Sequence, residues 1–101
     1  MRYKIEDGRF ENLVDDYISE EFSNLKMEKA NGVDDMFFWF KEDRTFVVEY
    51  IDEGYGFNED LYNHIMNFFS LSHDDMDYFL KKWISSNMPF PFNEIYTVEM
   101  G

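Results

Sequence analysis

Residues 36–40 read Met-Phe-Phe-Trp-Phe, the longest apolar run in the chain. In an extended strand, successive side chains point to opposite faces, so this run is apolar on both. A strand of that kind sits centrally and needs cover on both sides. The alternative leaves one face, carried by Phe37 and Trp39, open as a partner site; burial is the preferred reading. The charged stretch Lys41-Glu42-Asp43-Arg44 follows, and then Thr45-Phe46-Val47-Val48-Glu49-Tyr50-Ile51. Two β-rich runs around a short charged turn predict an antiparallel hairpin.

Helical spacing frames that hairpin. Phe10, Leu13, Val14, Tyr17, Ile18, Phe22 and Leu25 recur every three or four residues, an apolar stripe read as core. The opposite face carries Glu11, Asp15, Asp16, Glu20 and Glu21, read as solvated. Residues 2–6 are expected to form a short strand turned at Asp7-Gly8. Residues 25–30, before the turn dipeptide Asn31-Gly32, form either the end of the helix or a further strand. Asp52 to Phe57 reads as a loop. Asn58 then caps a helix over 58–69, with Glu59 and Asp60 in its first turn. Ser72-His73-Asp74-Asp75 has the capping-box pattern and opens a second helix over 72–86. Pro89 and Pro91 stop it. Pro89-Phe90-Pro91-Phe92 lays two rings on the core, with a docking segment as the alternative. Residues 94–100 alternate as a final strand.

The order β, α, β, β, α, α, β predicts an α+β fold. It consists of a small antiparallel sheet of three to four strands packed with about three helices, including a C-terminal αα-hairpin. At 101 residues this is one domain, 1–101. With 12 Phe, 7 Tyr and 2 Trp, the aromatic rings supply a core without disulfides or structural zinc. Cysteine is absent, which excludes a disulfide framework, a thiolate metal site and a cysteine nucleophile. The early acids fit no secretory leader, and no apolar run approaches the ~20 residues of a membrane span. A cytoplasmic protein is expected, in the host cell if it is virus-encoded.

Chemical motifs are sparse. The two C-terminal helices have the outline of a helix-turn-helix, but the second begins His73-Asp74-Asp75 and carries Asp77, which a DNA reader would not. Asp60/His64 and His73/Asp77 are single i, i+4 pairs, short of the three or four ligands of a transition-metal site. EF-hand spacing is missing around Asp52-Glu53-Gly54, and Gly54-Tyr55-Gly56 lacks the third glycine of a phosphate loop. No Gly-x-Ser-x-Gly elbow occurs. The expectation is therefore a protein that is not an enzyme, with no cofactor and no metal.

Charge is the most informative property. Nine Lys and Arg face 22 Asp and Glu, a formal net charge of −13. Direct binding to nucleic acid or to an anionic membrane is disfavoured, and a basic protein partner is favoured. Lys and Arg are absent from 45 to 80, while Glu49, Asp52, Glu53, Glu59, Asp60, Asp74, Asp75 and Asp77 lie there. The candidate partner-binding array is Asp52, Glu53, Glu59, Asp60, Asp74, Asp75 and Asp77. Glu11, Asp15, Asp16 and Glu20 form a second candidate face. The leading function is a small inhibitor, phage- or mobile-element-encoded, that occupies the basic nucleic-acid site of a defence nuclease by charge mimicry, of anti-restriction or anti-CRISPR type. One alternative is an immunity protein or antitoxin against a basic nuclease toxin, with aromatic anchors beside the acids. Another is an assembly subunit that forms a homo-oligomer. A monomer or small homo-oligomer is expected for the inhibitor.

Overall fold

The computed structural model describes residues 8–30, 32 and 36–99. The apolar stripe near the N-terminus forms helix α1, Gly8–Glu21, which buries Phe10, Val14 and Ile18. Phe22 continues that buried row just beyond the helix. Leu13 departs from the expectation, because it is 62 % exposed. It lies one helical row away from the buried face, and periodicity alone does not separate adjacent apolar rows.

The next four strands form a meander. They are β1, Lys26–Lys29, β2, Phe37–Phe40, β3, Phe46–Ile51, and β4, Gly54–Asn58. Each pairs antiparallel with its predecessor. The chain then makes helices α2, Glu59–Phe68, and α3, His73–Asn87, before β5, Glu94–Val98. Strand β5 lies parallel to β4. A connection long enough to hold two helices permits that parallel return, which a tight turn would not.

The fold is therefore mixed α+β, with three described helices and a five-stranded sheet in the order β1-β2-β3-β4-β5. Two expectations are corrected. The sheet has five strands rather than three or four, and it is mixed rather than purely antiparallel. The extra strand is β4, which the sequence presented as a loop because two glycines flank Tyr55. The strand expected at 2–6 lies outside the described residues. The region 25–30 resolves in favour of a strand.

Trp39 is buried, and Phe37 is half-buried beneath Phe90, with ring centroids 4.5 Å apart. The pair thus serves packing. Phe57 meets Phe22 and Trp83 with centroids 5.8 and 6.2 Å away, joining sheet to helices. Residues 89–92 act as read from the sequence. Phe90 stacks on Tyr50 and Phe92 meets Tyr55 edge-on. The Tyr50 hydroxyl donates to the Pro91 carbonyl at 2.8 Å, and the Tyr55 hydroxyl donates to the Phe90 carbonyl at 3.1 Å.

Both expected caps form. The Asn58 side chain accepts from the Asp60 and Leu61 amides, while its Nδ2 donates to the Phe46 carbonyl at 2.9 Å. The start of α2 is thereby tied to β3. Ser72 and Asp75 complete the capping box of α3. No helix among the described residues is long and apolar enough to cross a membrane.

Candidate partner-binding surface

Register fixes the position of the first two acids. Ile51 pairs with Gly54, leaving Asp52 and Glu53 as a two-residue turn. Their φ angles are 51° and 61°, the left-handed region that such hairpin turns require and that Asn-Gly usually fills. Asp52 tolerates this backbone and Glu53 does not favour it, and both are exposed at the tip. The Asn93 amide donates to the Glu53 carbonyl at 2.9 Å and steadies the turn against the segment leading into β5.

Tyr96 of β5 crosses Gly56 of β4. A Cβ on Gly56 would run into the Tyr96 ring, and one on Gly54 would lie 2.9 Å from Glu94 Cγ. The bare glycines let the ring reach β3, where the Tyr96 hydroxyl donates to Glu49 Oε2 at 2.8 Å. Burial pushes the Tyr96 phenol well above its ordinary value, helped by the bond to Glu49 and the nearby charges of Glu94 and Asp52.

Beyond Tyr96 a cleft of about 480 Å³ opens between β5 and the starts of α2 and α3. Glu59, Tyr62 and Asn63 of α2, His73 and Asp77 of α3, and Tyr96 and Thr97 of β5 line it. His73 stacks on Tyr62, and its Nδ1 lies 3.3 Å from the Tyr62 hydroxyl. Thr97 Oγ1 donates to Glu59 Oε2 at 3.5 Å. The Tyr62 phenol is pushed up to about 12, first by burial, then by Asp77 and by the charge of Asp74. Both tyrosines therefore sit in a negative potential made by carboxylates from several elements.

The candidate acids divide by environment. Glu59 and Asp77 face one cleft, Asp74 acts on the same tyrosine, and Asp60 is exposed on α2. Asp52 and Glu53 stand at the hairpin tip, with Asp52 close enough to act on Tyr96. Asp75 is different. It is only 6 % exposed, and its carboxylate accepts from the Ser72 amide at 3.1 Å, so it holds α3 rather than presenting charge. The second face also splits. Glu11 and Asp15 both accept from Lys82 of α3, at 3.0 and 2.6 Å, and Glu11 accepts from the Tyr78 hydroxyl too. Tyr78 and Lys82 hold the Glu11 carboxyl below its usual range. Asp16 and Glu20 remain exposed.

Sequence reasoning missed Glu94, Glu49, Tyr62 and Tyr96 as members of this surface. The available signal was the Gly-x-Gly spacing around Tyr55, which puts both glycines on one face of a strand and marks a lane for a neighbouring side chain. The histidines stay apart. His64 Nε2 lies 3.0 Å from the Tyr17 hydroxyl, and His73 is in the cleft. Among the described residues no group of three or more His, Cys, Asp or Glu is placed to hold a metal ion.

No protein-family model, no curated protein and no solved structure matches this chain.

Proposed function

We propose that this protein is a small, non-catalytic acidic inhibitor that occupies the nucleic-acid-binding groove of a basic protein, such as a host defence nuclease. The carrying observation is the joint placement of Glu59 and Asp77 in one cleft, with Asp74 and Asp52 acting on its two tyrosines. Duplex DNA offers one negative charge per ~1.7 Å of axis, and its binders answer with grooves of Lys and Arg. Carboxylates carried on a hairpin tip and on the first turns of two helices meet such a groove with their backbone already ordered, which preserves binding energy. In this reading α2 and α3 act as the expected αα-hairpin, whose starts hold the acids still. A cytoplasmic site of action, in a host cell if the protein is virus-encoded, follows from the target class.

The test is displacement of labelled duplex DNA from a panel of basic nucleases and other nucleic-acid-binding proteins. Displacement should be strong at about 50 mM salt and weaken steeply toward about 300 mM. Glu59→Gln/Asp77→Asn together with Asp52→Asn should reduce it at least tenfold. An affinity indifferent to salt, or a triple variant as potent as the parent, would sink the charge-mimic mechanism.

One observation favours a second reading. Tyr96 stands half-buried among the acids, and aromatic anchors beside charges are how a dedicated inhibitor acquires specificity. An immunity protein or antitoxin would use the same surface against one cognate basic nuclease. It would inhibit a single panel member and leave the others untouched.

A further inference from the structure

On the other flank of α2 from the cleft lies a patch of a different character. We propose that Leu13, Tyr17 and Phe68 form an apolar anchor site for a basic partner segment, one that carries an apolar side chain flanked by lysines or arginines. The proposal rests on the reading above only for the sign of the partner's charge.

Leu13 and Phe68 are 62 % and 60 % exposed, and they belong to one patch because Leu13 lies one turn before Tyr17, whose ring meets Phe68. Phe68 is not loose. Its ring lies 5.2 Å from Tyr17 and 6.2 Å from His64, nearly parallel to the latter at 8°. The Tyr17 hydroxyl and His64 Nε2 are 3.0 Å apart. Beneath them Phe69 meets Tyr17 and Phe10 edge-on, linking the patch to the core. A fixed aromatic platform loses little conformational entropy on binding, which is the character of an interface hot spot.

Charge selects the occupant. Arg9 lies one turn before Leu13, and beyond it no Lys or Arg occurs through Leu25 or anywhere in α2. Asp16 and Glu20 of α1 and Asp60 of α2 are exposed around the patch, each within one helical turn of Tyr17 or His64. A second copy would bring the same acids against them, and an anionic membrane would be repelled. A cationic amphipathic segment satisfies both the rings and the rim. It would lie along α2, whose opposite flank carries Glu59 and Tyr62 of the cleft.

The experiment uses two probes of equal charge. One is a peptide of roughly 14 residues built from Leu and Lys as an amphipathic helix, and the other has each Leu replaced by Ser. At about 0.3 M salt, where diffuse attraction is screened, the Leu/Lys peptide should bind the protein about tenfold or more tightly than the Ser/Lys peptide. In Leu13→Ser/Phe68→Ser that preference should fall to about twofold or less. Both side chains are mostly exposed, so the variant should keep its thermal transition, checked by circular dichroism. Glu59→Gln/Asp77→Asn should retain the preference. Equal binding of the two peptides, or a preference that survives in the double serine variant, would overturn the proposal. A wild-type dimer in light scattering that Leu13→Ser/Phe68→Ser dissolves would give the patch to a second copy and overturn it as well. Failure of the inhibitor reading is recognised separately, by the absence of nucleic-acid displacement.

Discussion

Gly56 lacks a side chain where Tyr96 needs the space. The contact spans two strands, since the ring passes over β4 to reach Glu49 on β3. Gly56→Ala should therefore destabilise by about 1–3 kcal/mol, the usual cost of overpacking, read as a lower urea midpoint with an unchanged slope. Adding Tyr96→Ser should relieve the clash, so the double variant should cost less than the sum of the two single changes. This residue also marks a limit of sequence reading. Gly54-Tyr55-Gly56 looks like a loop because glycine is permissive, and its reason for being there sits 40 residues further on. Leu13 marks another. It belongs to the same apolar stripe as Phe10, Val14 and Ile18 but one row over, and only the packing of the neighbouring elements decides that burial stops short of it.

At the level of elements, local chemistry was the most legible. The caps of α2 and α3 form at Asn58 and Ser72, where the sequence placed them, because a cap is decided by four consecutive residues. Asp75, by contrast, reads as presented charge in the sequence, although the same pattern assigns its carboxylate to the cap. The β3–β4 turn was obscured because its two central residues are acids rather than Asn-Gly. That mismatch is measurable. Asp52→Asn/Glu53→Gly should raise stability by about 1 kcal/mol, because both central positions then suit the left-handed backbone. The same change removes two carboxylates from the tip, so nucleic-acid displacement should weaken as the urea midpoint rises. A variant that gains stability and inhibits undiminished would remove the hairpin tip from the binding surface.

Over the whole molecule, the sign and size of the charge were visible in the sequence, but its grouping was not. Residues 45–80 hold no base, yet only folding brings Glu59, Asp77 and Tyr96 around one cleft and turns Glu11 and Asp15 toward Lys82. Among the described residues, the ion pairs of Lys41, Arg44 and Lys82 engage Glu21, Glu28, Glu11 and Asp15. None of them reaches the acids of the cleft or the hairpin tip. Repulsion among those carboxylates opposes the compact state and is relieved by salt. The melting temperature should accordingly climb by a few degrees between about 20 mM and about 0.3 M sodium chloride. Over the same range affinity for a basic nuclease should fall, because the ions that screen the acids from one another also screen them from the partner. The two slopes have one origin and opposite signs, so neutralising Glu59, Asp77 and Asp52 should flatten both together. A flattened stability curve beside an unchanged binding curve would place the partner's contacts away from these carboxylates.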